Sequence, residues 1–120
     1  MERPIDTATC LAMLLIDRGE TEEAEPILRR CLEIRREALP EGHVLTAEAN
    51  MLLGDILVRQ EHYAEAEPLL VSACVTLDDS TAVATQRKRE AHESVIALYE
   101  AWGKSAEMAE WRTRLLKKGY

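Results

Sequence analysis

Phenylalanine is absent from this 120-residue chain, and aromatic side chains of all kinds make up only 4% of it. Ala, Leu and Glu dominate instead, a bias that favours helix over sheet because unbranched side chains lose little rotamer freedom in a helix. Basic residues are also in deficit: 15 Lys and Arg face 22 Asp and Glu, giving a formal net charge of −7 and a pI near 5.0. That balance argues against nucleic acid and anionic membrane as partners, since phosphate binding needs clustered cations to displace counterions. The longest uninterrupted apolar run, Cys10–Ile16, falls far short of the ~20 residues a membrane-spanning helix requires. The opening Met1-Glu2-Arg3-Pro4 lacks a basic stretch followed by an apolar core, so no secretory signal is visible and a cytoplasmic location is expected.

Cysteine is scarce and odd in number, at Cys10, Cys31 and Cys74, with no CxxC pairing. Reduced thiols acting as small buried hydrophobes are the expectation, and neither a zinc site nor a redox pair is indicated. His43, His62 and His92 fall in a linker, a turn and a helix and never form HExxH. No glycine-rich phosphate loop, GxSxG elbow or paired nucleophile and base appears, and the glycines serve as punctuation. An enzyme is therefore not expected, nor are a catalytic residue, a cofactor or a metal.

What is present is enough apolar material, 47% of residues against 31% charged, for one folded domain over residues 1–120. An internal repeat organises it. Glu23-Ala24-Glu25-Pro26-Ile27-Leu28 recurs 42 residues later as Glu65-Ala66-Glu67-Pro68-Leu69-Leu70. Upstream, in the same register, Leu11 falls on Leu53, Ala12 on Gly54, Leu14 on Ile56 and Leu15 on Leu57. The i, i+3, i+4 spacing within each copy is that of an amphipathic helix. Gly19-Glu20-Thr21 separates two helices in the first copy, with Thr21 expected to cap the second. Leu39-Pro40-Glu41-Gly42-His43 turns the chain between copies. A diverged third copy carries Val95, Leu98 and Tyr99, a turn at Trp102-Gly103-Lys104, then Met108, Trp111 and Leu115. The pattern predicts six helices, at about 4–18, 22–38, 44–60, 64–77, 82–102 and 105–118, paired into repeats 4–38, 44–78 and 82–118. Leu11, Leu15, Ala24, Leu28, Leu53, Leu57, Ala66, Leu70, Val95, Leu98 and Tyr99 are the expected core.

The stretch Tyr63-Ala64-Glu65-Ala66-Glu67-Pro68-Leu69-Leu70 resembles the tetratricopeptide repeat, specifically its 42-residue kinesin-light-chain type. Ala97-Leu98-Tyr99-Glu100-Ala101-Trp102-Gly103-Lys104, with Ala109-Glu110-Trp111-Arg112, looks like the closing repeat of certain bacterial serine/threonine kinases, although the chain holds no kinase motif. The resemblance implies an all-α, right-handed superhelical array of three helical hairpins that binds protein or peptide on its concave face. Met51 and Leu52 stand where such repeats often place two asparagines that grip a peptide backbone, and Met108 stands at a usual alanine, which demands room between its helices.

First helices line the concave surface of such an array. Aligning the repeats puts Asp6, Thr9, Met13, Ile16 and Asp17 there from the first copy, and Glu48, Met51, Asp55, Val58 and Arg59 from the second. Glu90, Glu93, Ala97 and Glu100 follow from the third. Seven carboxylates against one arginine would attract a basic segment, with Met13, Ile16, Met51 and Val58 as apolar floor. The alternative expectation is self-association, as a homodimer through terminal hairpins left without a polar cap.

Overall fold

The computed structural model describes residues 4–81 and 83–120, with side chains from Leu11 onward. Six helices follow one another: α1 (Pro4–Asp17), α2 (Thr21–Ala38), α3 (Val44–Arg59), α4 (Tyr63–Asp79), α5 (Thr85–Trp102) and α6 (Ser105–Lys118). No strand occurs among the described residues. The expected boundaries fall within two residues of these except at the start of α5. There the helix begins at Thr85 and not at 82, after Ser80 has closed α4 with its N–H bonded to the Leu77 carbonyl at 3.2 Å.

One turn is used three times. Gly19, Glu61 and Gly103, each 42 residues from the next, take left-handed φ values of 80°, 64° and 79°. The N–H that follows each reaches back to the carbonyl five residues earlier: Glu20 to Leu15 at 2.8 Å, His62 to Leu57 at 2.8 Å and Lys104 to Tyr99 at 2.9 Å. This Schellman closure satisfies carbonyls that a helix end leaves without partners. Thr21 does not cap α2, as the sequence suggested. It is the first helical residue, Glu20 holds the cap position, and no side chain caps there. Within the hairpin the 6→1 and 5→2 backbone bonds already fix the entry of α2. A side-chain cap does form on α3, where Nδ1 of His43 accepts the Leu45 N–H at 3.0 Å.

Each hairpin pairs consecutive helices, and α3 also touches α1 and α5, so the first helices of the three hairpins form one layer while α2, α4 and α6 back them. Packing is tightest in the middle hairpin. A Cβ placed on Gly54 would lie 2.6 Å from both Cγ and Cδ2 of Leu70, so only glycine lets α3 and α4 approach this closely. Ala24, Leu28, Leu53, Leu57, Ala66, Leu70, Val95, Leu98 and Tyr99 are buried as expected. Leu11 is not: it is 48% exposed, and Leu15 is only half-buried. Ala12 and Ile16 take their place in the core. The apolar stripe of α1 is wider than the contact it makes with α2 and α3, so one edge of the stripe is left in solvent.

Polar ties bind successive hairpins. Arg29 of α2 bridges Glu25 of its own helix at 2.9 Å and Glu65 of α4 at 3.0 Å, and Gln60 donates to Glu25 at 2.8 Å. The buried Arg35 donates from Nη1 to the Leu45 carbonyl at 2.6 Å, fixing the end of α2 against the start of α3. Tyr99 donates to Glu67 at 2.7 Å and stacks near Trp102, whose ring also meets Tyr63 at 5.9 Å and Lys104 Nζ at 3.9 Å. In α6 only Trp111 is buried, and Met108 at the alanine position is half-buried.

Candidate partner-binding face

The shared layer of α1, α3 and α5 carries the residues singled out by repeat alignment, because positions 42 apart occupy the same turn of equivalent helices. The side chains of Asp6 and Thr9 lie outside the described residues. Met13 and Asp17 of α1 are exposed, as are Arg59, Glu93, Ala97 and Glu100, while Glu48, Asp55, Val58 and Glu90 are half-buried. Two of the supposed floor residues belong elsewhere. Met51 is 4% exposed and Ile16 is 8%, so both pack in the core and offer a partner little surface. The reason is geometric: the inner helices touch one another, and that contact covers side chains that a lone helix would present.

Arg59, the one cation of the set, is already engaged. Its Nη1 donates to the Ile16 carbonyl at 3.1 Å, at the C-terminal turn of α1, where a helix concentrates partial negative charge. Two of the carboxylates are also matched: Glu90 by Arg87 at 3.6 Å and by Gln86 at 3.3 Å, and Glu100 by Arg112 of α6 at 3.6 Å. These exposed pairs contribute little to stability, about 0–1 kcal/mol each. Among the described residues no ion pair engages Asp17, Glu48 or Glu93, so their charge remains available to the face.

Asp55 is the perturbed group. Burial pushes its carboxyl up to about 6, against the pull of Ser94 and the charge of Arg59, while Glu90 adds to the rise. α3 and α5 thus bring Asp55, Arg59, Glu90 and Ser94 into one electrostatic neighbourhood. The half-buried Ser94 was not singled out in the sequence, where a lone serine on a helix carries no signal.

Outside this face the structure assembles a cluster that the sequence did not pair. His92 of α5 is buried and meets Asp78 of α4, Nε2 to Oδ2, at 2.8 Å, with Cys74 one turn earlier on α4. The spacing of His92 with Val95 and Tyr99 on the buried face of α5 was a legible sign that this histidine points inward.

Stacked hairpins whose first helices share a face define a helical-repeat protein. The tetratricopeptide repeat profile matches residues 5–74, more than half of the chain, and the protein belongs to that family. The match ends within α4, so the third hairpin lies beyond it. No curated protein matches the chain. Repeats of this family are generally protein–protein interaction modules and typically non-catalytic. No helix among the described residues is long and apolar enough to cross a membrane.

Proposed function

We propose that the α1–α3–α5 face binds a basic, Lys- or Arg-bearing segment of a partner protein in the cytoplasm. The observation that carries this reading is the asymmetry of the face: Asp17, Glu48, Asp55 and Glu93 present carboxyl groups, while Arg59 is committed to the Ile16 carbonyl. Complementary charge steers and orients such a segment, and screening over ~8 Å at physiological ionic strength makes the attraction salt-sensitive. The resemblance to kinesin-light-chain repeats is consistent with this use of the inner helices. The likeness of the third hairpin to kinase-associated repeats suggests, alternatively, a regulatory part of a larger signalling protein.

The test is selection from a random peptide library against the full chain, followed by titration of the selected peptides. Lys- and Arg-rich peptides should be enriched, their affinity should fall with salt, and replacing Glu48, Asp55 and Glu93 together by Gln, Asn and Gln should weaken binding. Enrichment of acidic peptides, or undiminished affinity in the triple variant, would refute it. Because Asp55 keeps its proton up to a pH of about 6, the same binding should strengthen as pH rises through that value.

A second reading rests on a separate observation. Leu11 and Leu14, at 48% and 53% exposure, leave apolar surface on α1, and such surface favours a homodimer through this hairpin. Light scattering over a hundredfold dilution decides it, since a monomeric mass throughout would remove self-association.

A further inference from the structure

At the junction of α4, α5 and α6, three side chains of different ligand chemistry converge. Cys74 and Asp78 lie four residues apart, on one face of α4, and His92 comes from α5. The Cys74 sulfur, an Asp78 oxygen and a His92 nitrogen lie within 4.8 Å of one another. We propose that Cys74, Asp78 and His92 bind a zinc ion, with a water from the adjoining cleft as fourth ligand.

Thiolate, imidazole and carboxylate together suit a borderline-soft ion such as Zn²⁺, which accepts S, N and O donors in tetrahedral geometry. The arrangement is that of a site and not of a surface cluster. His92 is 1% exposed, and its Nδ1, buried without a hydrogen-bond partner, is open to carry the ring proton when Nε2 turns from Asp78 to an ion. A cleft of about 330 Å³ opens on the three residues, walled by Trp111 and Arg114, and gives an ion and its water an entry path. Tyr120 donates its hydroxyl to the other Asp78 oxygen, Oδ1, at 3.0 Å, the kind of outer hydrogen bond that orients a ligating carboxylate.

Two features oppose binding and set its strength. Lys118 Nζ stands 3.7 Å from Asp78 Oδ2, but its side chain is 47% exposed and free to swing into water when an ion arrives. The Cys74 thiol is pushed up to about 12, chiefly by burial and then by Asp78. A coordinated thiol nevertheless loses its proton to the metal's charge. On binding, the Cys74 sulfur releases its proton to solvent and bonds to zinc as thiolate. The proton on His92 Nε2 moves to Nδ1, freeing the Nε2 lone pair. One proton is thus released per ion, and affinity rises with pH.

The experiment is a titration of the reduced full-length chain with Co²⁺, a spectroscopic stand-in for Zn²⁺. Expected are a thiolate-to-cobalt charge-transfer band in the near ultraviolet and tetrahedral bands in the visible, saturating at one equivalent and abolished by added Zn²⁺. Cys74→Ala and His92→Gln should remove the bands, while Cys31→Ser and Cys10→Ser should keep them. Should either cluster variant lose its helical circular dichroism, the wild-type chain decides by NMR, with Zn²⁺ shifting the His92 ring and Cys74 β-carbon resonances. Absence of a charge-transfer band in the wild-type chain, its persistence in Cys74→Ala, or zinc shifts confined to other residues would overturn the site.

Discussion

Leu11 and Leu14 on α1 are repeated 42 residues later as Leu53 and Ile56 on α3, yet the first pair is 48% and 53% exposed and the second 2% and 0%. Identical register and similar side chains end in opposite environments because α3 has α2 packed against the edge that α1 leaves open. Burial in a repeat array is conferred by the neighbour and not by the position. At three other equivalent sites it is the residue itself that differs. Gly54 replaces Ala12, Glu61 replaces Gly19 and Gly103, and Asp55 stands where the other hairpins carry Met13 and Ala97.

Exchanging residues between equivalent sites sharpens the comparison. The largest effect is expected from truncating the covered pair: Leu53→Ala should destabilise by about 2–5 kcal/mol, and Leu11→Ala by no more than ~0.5 kcal/mol. Chemical denaturation of both variants checks this, and equal losses would show that the two edges are covered alike. Next is Gly54→Ala, which copies the first hairpin into the second. Alanine gains up to ~1 kcal/mol of helix propensity, but its methyl collides with Leu70, and overpacking costs roughly 1–3 kcal/mol, so a net loss is expected. Ala66→Leu, at the other close contact of that hairpin, should lose a similar ~1–3 kcal/mol. An unchanged melting midpoint in both would mean that α3 and α4 are farther apart than described.

Asp55 tests the comparison through pH. Its folded carboxyl titrates at about 6, above the ordinary value of 3.8. Between these values the unfolded chain ionises while the folded chain keeps its proton, so Asp55 costs stability progressively as pH rises and the cost is complete above about 6. Asp55→Asn should therefore stabilise by roughly 2–3 kcal/mol near neutral pH, with the gain vanishing below about pH 4. A gain that instead grows toward acid would reverse the sign and refute the burial argument. The smallest effect belongs to Glu61, which holds φ at 64° where its counterparts are glycine. Glu61→Gly should relieve about 1 kcal/mol of left-handed strain, less the extra freedom glycine gives the unfolded chain, and should raise the midpoint slightly.

Much of this architecture was legible in the residues. The 42-residue recurrence and the i, i+3, i+4 spacing placed six helices within a residue or two, since helix periodicity and turn chemistry are local properties. The start of α5 was placed three residues early, and the end of α4 two residues early because Asp78 and Asp79 read as helix breakers. In the fold Asp78 is held by His92, Tyr120 and Lys118, and α4 runs on through it. The left-handed turn at Glu61 was hidden for a different reason: the backbone bonds of a Schellman closure override a side chain's own preference.

The candidate face was only half visible. Alignment identified which residues occupy the inner helices, but not that Met51 and Ile16 are covered there, that Arg59 is bound to α1, or that Ser94 sits beside Asp55. The sequence by itself determined the helices, their pairing into hairpins and the acidic character of the inner layer, because these follow from neighbours along the chain and from composition. Only the tertiary structure decided which edge of α1 stays in water, how Asp55 comes to titrate near 6, and that Cys74, Asp78 and His92 meet. Each of those depends on distances between helices far apart in sequence, which no local pattern encodes.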